Sequence, residues 1–510
     1  MTGTEQYDVV VVGAGSAGAA LAGRLAQEPA RSVLLVERGG SRPTTLDPDR
    51  LPADGDPTVV SSALRTGDGD RVSSLLAGAV LGGSGAVNGA YFVRPTDADL
   101  ARWAGAGNDA WSLRSVLAAM RRLETDVELG GTERHGGEGP MRVTRSAHPP
   151  HAVTEALFAA AASLGHAEQP DLNGGGGVGW GTVPRNVDEL GRLSSARAYL
   201  GAAAVGRPML RTGCRVVRVL FDRGRAVGVE LVDADGRSAT VHAATVVLCA
   251  GALGSAELLR RSGIGPAGGL RADGIDVVVD ARGLGTRARN HAALDLCFSP
   301  RPGVLDAAAP LLQGALHLRT PSGAPVELLA MCTPYGRATG ADPADDRLSL
   351  RVSTMRGRTP VVVRHEGDRP WIDAAYLDDA RDRADWRAAV RAAVELVRTE
   401  AFGALVEHWH GPSPEVVAID RDLDAWIAAH LGTSHHLCAT APMGPDDDPG
   451  AVVDQWGRVR GVDGLAVVDL SILPDAPSRG PSCTAVVLAE HLATTFEGVG
   501  GASGTVSPAP

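Results

Sequence analysis

The 510-residue chain has few cysteines, no long apolar run and no excess of positive charge, and each shortage removes a class of function. Its six cysteines, at 214, 249, 297, 332, 438 and 483, are scattered mostly through apolar stretches with no C-x-x-C pair. That pattern argues against zinc and for buried, reduced thiols. The longest apolar stretches, such as Ala244 to Leu253, fall well short of the roughly 20 residues a membrane span needs. Met1 to Gln6 offers no basic run followed by an apolar stretch, so no signal peptide is expected. The 60 acidic residues outnumber the 49 basic ones, and a formal charge of −11 opposes phosphate backbones, which makes nucleic acid an unsuitable partner. A cytoplasmic protein with no transmembrane segment is expected, either free or held peripherally at the inner face of the membrane.

What is present describes a folded chain of several units. A 44% hydrophobic and 21% charged composition suits a globular protein, and the length suggests two to four structural units. Tyr7 to Val12 is a β-branched run ending at Gly13, Ser16 to Leu25 reads as a small-residue helix, and Ser32 to Val36 as a second strand ending in Glu37. Together they make a βαβ unit. Apolar spacing predicts a helix within Trp111 to Thr125, and Leu210 to Val232 alternates as strands around the turn Asp222-Arg223-Gly224. Thr245 to Ala250 is a further strand running into Gly251 and a helix to Arg261. Between about 300 and 430 the composition shifts to short strands (Ala315 to Arg319, Leu348 to Ser353, Val361 to His365) before a helical stretch, Asp379 to Arg398. That shift suggests a second domain inserted into the first. A strand at Leu465 to Val468 and a helix at Thr484 to Ala493 close the folded part.

Gly13-Ala14-Gly15-Ser16-Ala17-Gly18 fits G-x-G-x-x-G between a strand and a helix, and Glu37 ends the next strand, where a carboxylate can accept ribose hydroxyl hydrogen bonds. Dinucleotide binding follows, with the pyrophosphate at the helix N-terminus. The Gly-rich loop Ala77 to Gly89 lies too far downstream to serve that turn. It reads either as a surface turn or as a loop that brings bare backbone and one Asn, Asn88, against a flat ring. Adjacent histidines at 435 and 436, beside the turn Cys438-Ala439-Thr440, could be metal ligands, core residues or a base. No clustered carboxylate or thiol keeps ligand spacing, so a metal is not expected.

These segments resemble the glucose–methanol–choline (GMC) family of flavoproteins. Ala77 to Gly89 looks like its first signature and Gly251 to Gly265 like its second, with Ala256 in place of the usual Pro or Ser. Ser195 to Leu200, Arg289-Asn290-His291, His436 to Gly444 (with Ala439 for Gly) and Asp469 to Thr484 are similar to further family segments. The resemblance implies an α/β fold: a discontinuous FAD-binding Rossmann-like domain (1–148, 186–296, 432–497) with an inserted α+β substrate domain (149–185, 297–431) and a disordered tail (498–510). It implies FAD held by Gly13, Gly15, Ser16, Ala17, Gly18, Glu37, Arg38, Gly82, Gly83, Ser84, Asn88, Gly89, Val216, Ala250, Gly251, Ser255, Asp469, Leu470, Cys483 and Thr484. The helix near Cys483 would aim its N-terminal dipole at the flavin. Binding is expected to be non-covalent, because the position that tethers flavin through His in some members is Val87.

The same resemblance implies oxidation of an alcohol, with His436 as the base, His435 as its rival for that role, and the hydride passing to flavin N5. Ser482 stands where a second catalytic His or Asn is usual. The runs Ser434 to Cys438, Asp446 to Pro449 and Ser478 to Pro481, with Tyr91-Phe92 and Leu123 to Asp126, look like the mycofactocin-associated GMC dehydrogenases. The implied substrate there is reduced mycofactocin, with electrons passed to respiration. The alternatives are a small-molecule alcohol or choline-type oxidase or dehydrogenase, and a flavin-binding protein with little redox activity or with lyase activity.

Overall fold

The computed structural model describes residues 5–42, 47–66, 71–145, 149–201, 206–306, 308–339, 342 and 344–496. The expected tail at 498–510 lies outside them.

The hydrophobic run at the start of the chain is buried on both faces: Val9, Val10 and Val11 are fully enclosed. It forms the strand Glu5–Val12, paired in parallel with Val33–Val36 on one side and Ser238–Leu248 on the other. A strand covered on both faces needs apolar residues at every position rather than at alternate ones, and Val9 to Val12, the buried half of this strand, has them. Across the sheet the order is Met209–Arg211, Val33–Val36, Glu5–Val12, Ser238–Leu248, Arg225–Val232 and Arg215–Asp222. Ser238–Leu248 is long enough to serve two further partners along its other edge. Its first half pairs antiparallel with Arg225–Val232, and its last residues pair in parallel with Leu465–Val467, so the C-terminal part of the chain returns to the first sheet. The hairpin turn predicted at Asp222-Arg223-Gly224 has Arg223 at φ 48° and Gly224 at φ 81°, the two left-handed residues of a tight hairpin.

The helices Ser16–Leu25 and Ser482–Ala493 cover this sheet. They are tied by Glu490, which is fully buried and binds Arg24 at 2.8 Å, Arg122 at 2.9 Å and the Tyr199 hydroxyl at 2.6 Å. The helix expected within Trp111 to Thr125 is shorter, Leu113–Arg122, because Ser112 caps it by accepting from the Ser115 N–H. The last helix starts two residues earlier than read from sequence, at Ser482.

A second sheet is antiparallel throughout, in the order Val406–Trp409, Ala292–Pro300, Leu348–Thr354, Pro325–Met331, Leu312–Arg319 and Gly179–Thr182. It has its own core, shared with the helices Ala152–Ser163 and Ala380–Arg398. Asp379 caps the latter by accepting from the Arg381 N–H. A hairpin that sequence reading passed over, Val59–Thr66 with Arg71–Gly78, pairs with Arg369–Asp373, and Val362–Glu366 joins this small sheet rather than the large one.

Candidate active site

Two Gly-rich loops distant in sequence meet where the first strand ends. Gly13 has φ 101°, and a Cβ there would lie 2.4 Å from the Cys249 carbonyl oxygen; one on Gly18 would lie 1.9 Å from the Gly13 oxygen. The strand ends and the helix start are thus packed backbone on backbone. Over them sits the second loop: the Gly82 N–H donates to the Ala14 carbonyl at 2.8 Å, and a Cβ on Gly83 would lie 2.7 Å from Gly15 Cα. Gly85 approaches Ser16, where a Cβ would lie 2.5 Å from its hydroxyl. Ala17 is buried in the same turn. Glu37, nearly buried, accepts from the Ala14 N–H at 2.9 Å and the Gly39 N–H at 2.8 Å, which leaves each carboxylate oxygen capacity for a further donor. Burial raises its pKa despite those bonds. Cys214 donates to the Glu37 carbonyl, so Val216, two residues on, belongs to the same corner; Arg38 next to it is exposed.

A second group of predicted residues gathers around Asp469. Its Oδ2 accepts from the Gly251 N–H at 2.9 Å and the Ser255 hydroxyl at 2.6 Å, while Oδ1 accepts from the Ser471 N–H at 2.8 Å. Ser255 in turn accepts from the Ala250 N–H at 3.0 Å. Leu470 connects this turn to the histidine segment, since its carbonyl accepts from the Ala439 N–H at 2.9 Å. At the start of the last helix, Ser482 Oγ accepts from Asn88 Nδ2 at 3.2 Å, and the same Asn88 takes the Ala90 N–H at 2.9 Å. Cys483 is buried, and the Thr484 hydroxyl is buried without a partner. A Cβ on Gly89 would lie 3.1 Å from Leu311 and 3.3 Å from Leu312, where the strand Leu312–Arg319 of the second sheet begins.

The adjacent histidines point to different tasks. His435, at φ 60°, accepts the Leu76 N–H on Nδ1 at 3.1 Å, which ties it to the strand leading into the second Gly-rich loop; burial and Arg351 lower its pKa to about 4. His436 donates its backbone N–H to Asn290 Oδ1 at 2.9 Å, and Asn290 is itself fixed by Tyr376 at 2.6 Å and Thr433 at 2.8 Å. His436 is partly buried, and desolvation, aided by His291, His435 and Arg351, holds its pKa well below the ordinary imidazole value. Its Nδ1 lies 2.9 Å from His291 Nδ1.

Sequence reading expects Ser482 as the second catalytic residue. Just before it in the chain, Gly480 faces the His436 ring: a Cβ there would lie 3.5 Å from His436 Cε1 and 3.0 Å from Tyr91 Cδ1. The Tyr91 ring fills the space a side chain at 480 would need. Tyr91 donates to Glu327 Oε1 at 2.5 Å, and His317 Nε2 stands 3.2 Å from the same oxygen. Gly480, Tyr91, Glu327 and His291 were missed as site residues. Gly480 carries no chemical signal by type, and the others come from segments joined only by the fold.

Glu124, Asp126 and His135 are close enough to suggest a metal centre. Arg94 binds Glu124 at 2.6 Å and Arg145 binds Asp126 at 2.8 Å, while His135 bridges Glu124, Asp126 and Asp171. Burial pulls the His135 pKa down, but the three carboxylates win and raise it to about 10. The cluster is therefore an imidazolium among carboxylates, and its cations are already supplied.

Residues 7–292 and 353–489 match the two GMC oxidoreductase family models. The chain belongs to the GMC oxidoreductase family. A GMC-type oxidoreductase of Rhodococcus erythropolis is 34% identical over 98% of this chain and 100% of that protein. An oxygen-dependent choline dehydrogenase of Stenotrophomonas maltophilia is 31% identical over 98% and 96%. Among solved structures, pyridoxine 4-oxidase from Mesorbium loti is 29% identical, with a TM-score of 0.87, covering 96% of this chain and 99% of that one. A formate oxidase variant from Aspergillus oryzae shares the fold, with a TM-score of 0.88 at 21% identity over 98% and 99%. This GMC oxidoreductase is therefore an FAD-dependent enzyme acting on CH–OH groups of donors, with a Rossmann-like FAD-binding domain and a substrate domain. The cofactor fits the residues present: Gly15 and Gly251 leave their front faces open, Glu37 retains acceptor capacity, and Thr484 is a buried hydroxyl lacking a partner. No helix among the described residues is long and apolar enough to cross a membrane.

Proposed function

We propose that this GMC oxidoreductase oxidises an alcohol, with His436 removing the hydroxyl proton. The observation that supports this most directly is an imidazole held in place by Asn290 and His291 and faced by Gly480, two residues before the last helix. A base must be unprotonated to act, and its depressed pKa keeps His436 neutral at neutral pH. Bound FAD supplies the hydride acceptor, its N5. Gly13, Gly15, Ser16 and Gly18 hold the pyrophosphate, Glu37 the ribose, and Val216 and Arg38 the adenine end. Gly82, Gly83, Ser84 and Asn88 face the ring system, with Gly251 and Asp469 beside the polar chain. Ser482 serves by fixing Asn88, and the N–H groups of Cys483 and Thr484 stabilise negative charge at the helix N-terminus. FAD is held without a covalent bond, since Val87 offers no nucleophile. The division at 1–148, 186–296 and 432–497 against 149–185 and 297–431 belongs to the same reading.

The substrate and acceptor are proposed more narrowly from sequence. Ser434 to Cys438, Asp446 to Pro449 and Ser478 to Pro481 support reduced mycofactocin as the donor and respiration as the sink. The choline dehydrogenase and pyridoxine oxidase likenesses support a small-molecule alcohol instead. Anaerobic bleaching of the bound flavin by a panel of reduced mycofactocin, choline, pyridoxine and simple aryl alcohols separates them. The reading expects bleaching by one alcohol of the panel at a saturable rate, and reduced mycofactocin to be that donor. Bleaching by none contradicts alcohol oxidation of this kind.

A further inference from the structure

His291 is a second imidazole beside the base that no step above uses. It directly precedes the strand Ala292–Pro300, is 1% exposed, and meets His436 edge-on, with ring centroids 5.1 Å apart and planes at 89°. The two Nδ1 atoms are 2.9 Å apart. Facing ring nitrogens at that distance share one proton: two lone pairs repel, and two N–H groups collide.

The surroundings decide which ring holds it. His291 Nε2 is buried without a hydrogen bond of normal geometry, and the acceptor beside the ring is the Pro477 carbonyl. A carbonyl oxygen favours N–H and repels a lone pair, so Nε2 of His291 carries the proton. A neutral imidazole protonated there has its lone pair on Nδ1. His436 Nδ1 must then be the donor, which leaves its Nε2 with the lone pair. Burial keeps both rings neutral; the charged groups nearest them are Glu327, Asp99 and Asp475 around His291, and Arg351 with His435 around His436.

We propose that His291 is a positioning residue that fixes the tautomer and orientation of His436, so that Nε2 of His436 is the atom that takes the substrate proton. The order is carbonyl of Pro477, His291, His436, substrate hydroxyl. When His436 Nε2 accepts the hydroxyl proton, its Nδ1–H remains donated to His291 and the new charge is spread over two rings. The inference rests on the reading of His436 as the base.

The test uses the FAD-loaded full chain. In ¹⁵N-histidine-labelled protein, with His436 signals identified by their loss in His436→Ala, the expected state is Nδ1–H with a bare Nε2. Nε2–H on His436 overturns the proposal whatever the kinetics show. His291→Leu removes the acceptor; its His436 should lose the single-tautomer pattern, and anaerobic flavin reduction at saturating alcohol should slow by about 10² to 10³ with little change in substrate affinity. His291→Asn restores an acceptor oxygen near the old Nδ1 and should recover to within about tenfold. Wild-type rate and an unchanged His436 pattern in His291→Leu overturn the proposal. If His291→Leu fails to fold, the wild-type tautomer and the Asn variant decide. A wild-type rate in His436→Ala removes the base reading alone, and the tautomer measurement still judges His291.

Discussion

Replacing Gly83 by Ala tests whether the two Gly-rich loops form one cofactor cradle. Gly83 has φ 54°, a left-handed conformation that a side chain tolerates at roughly 1 to 2 kcal/mol. The contact is the larger matter. The new Cβ would lie 2.7 Å from Gly15 Cα, where ordinary contact begins at 3.4 Å, so the loops must part by about 0.7 Å (3.4 − 2.7). Both neighbours are backbone and neither can rotate away. The N–H groups around Gly15 would then sit off their places, and a hydrogen bond to a charged acceptor is worth about 1.5 to 3 kcal/mol. Losing one weakens FAD binding by about 10- to 100-fold. Titration of apoprotein with FAD, followed by quenching of flavin fluorescence, reads this directly. Gly236→Ala is the control: it has φ 79° with nothing within 4 Å, so it carries the strain without the contact and should keep wild-type affinity. Wild-type FAD affinity in Gly83→Ala, or equal weakening in both variants, refutes the reasoning.

Acid precipitation should release all the flavin into the supernatant, because Val87 cannot form a tether; yellow protein in the pellet contradicts this. Glu490→Ala removes the buried carboxylate that partly exposed Arg24 and Arg122 and the Tyr199 hydroxyl share and should cost about 1.5 to 3 kcal/mol, seen as a lower urea midpoint and weaker FAD retention; an unchanged midpoint counts against the role given to Glu490. His135, raised to about 10, stabilises the fold fully below the ordinary imidazole pKa and loses that contribution as pH rises from about 6.5 toward 10. His317, held neutral by burial at about 4, has the opposite sign and weakens the fold as pH falls from about 6.5 toward 4. Urea unfolding across that range should therefore peak near the ordinary imidazole value, and His135→Gln should flatten the alkaline limb alone. An alkaline limb unchanged in the variant would place its origin elsewhere.

The cofactor cradle was legible because its demands are steric and local. At Gly13 and Gly18 a side chain would collide with backbone, so glycine spacing betrays the turn before any fold is known. The histidine site was legible only in part. His435 and His436 have the same chemistry, and what separates them is the left-handed backbone at 435, which sends its ring to Leu76. Ser482 reads as the second partner because it stands where the resembled family has His or Asn; that Gly480 also faces His436, leaving room for Tyr91, carries no signal in the sequence. His291 lies 145 residues before His436, and the antiparallel pairing of Arg289 with Cys438 and of Ala292 with Thr433 brings them together. Val59–Thr66 escaped notice because it is partly exposed on both faces and lacks clean alternation.

The central claim is that His436 is the base, and single-turnover anaerobic reduction of the FAD in His436→Ala, beside His435→Ala, tests it most directly. With an alcohol that bleaches the wild-type flavin, the His436 variant should keep its FAD and reduce it slower by about 10² to 10⁴, equivalent to roughly 3 to 5 kcal/mol in the barrier. His435→Ala, which loses only the tie to Leu76, should stay close to wild type. Reduction of flavin at the wild-type rate in His436→Ala, or an equal loss in His435→Ala, would contradict the account.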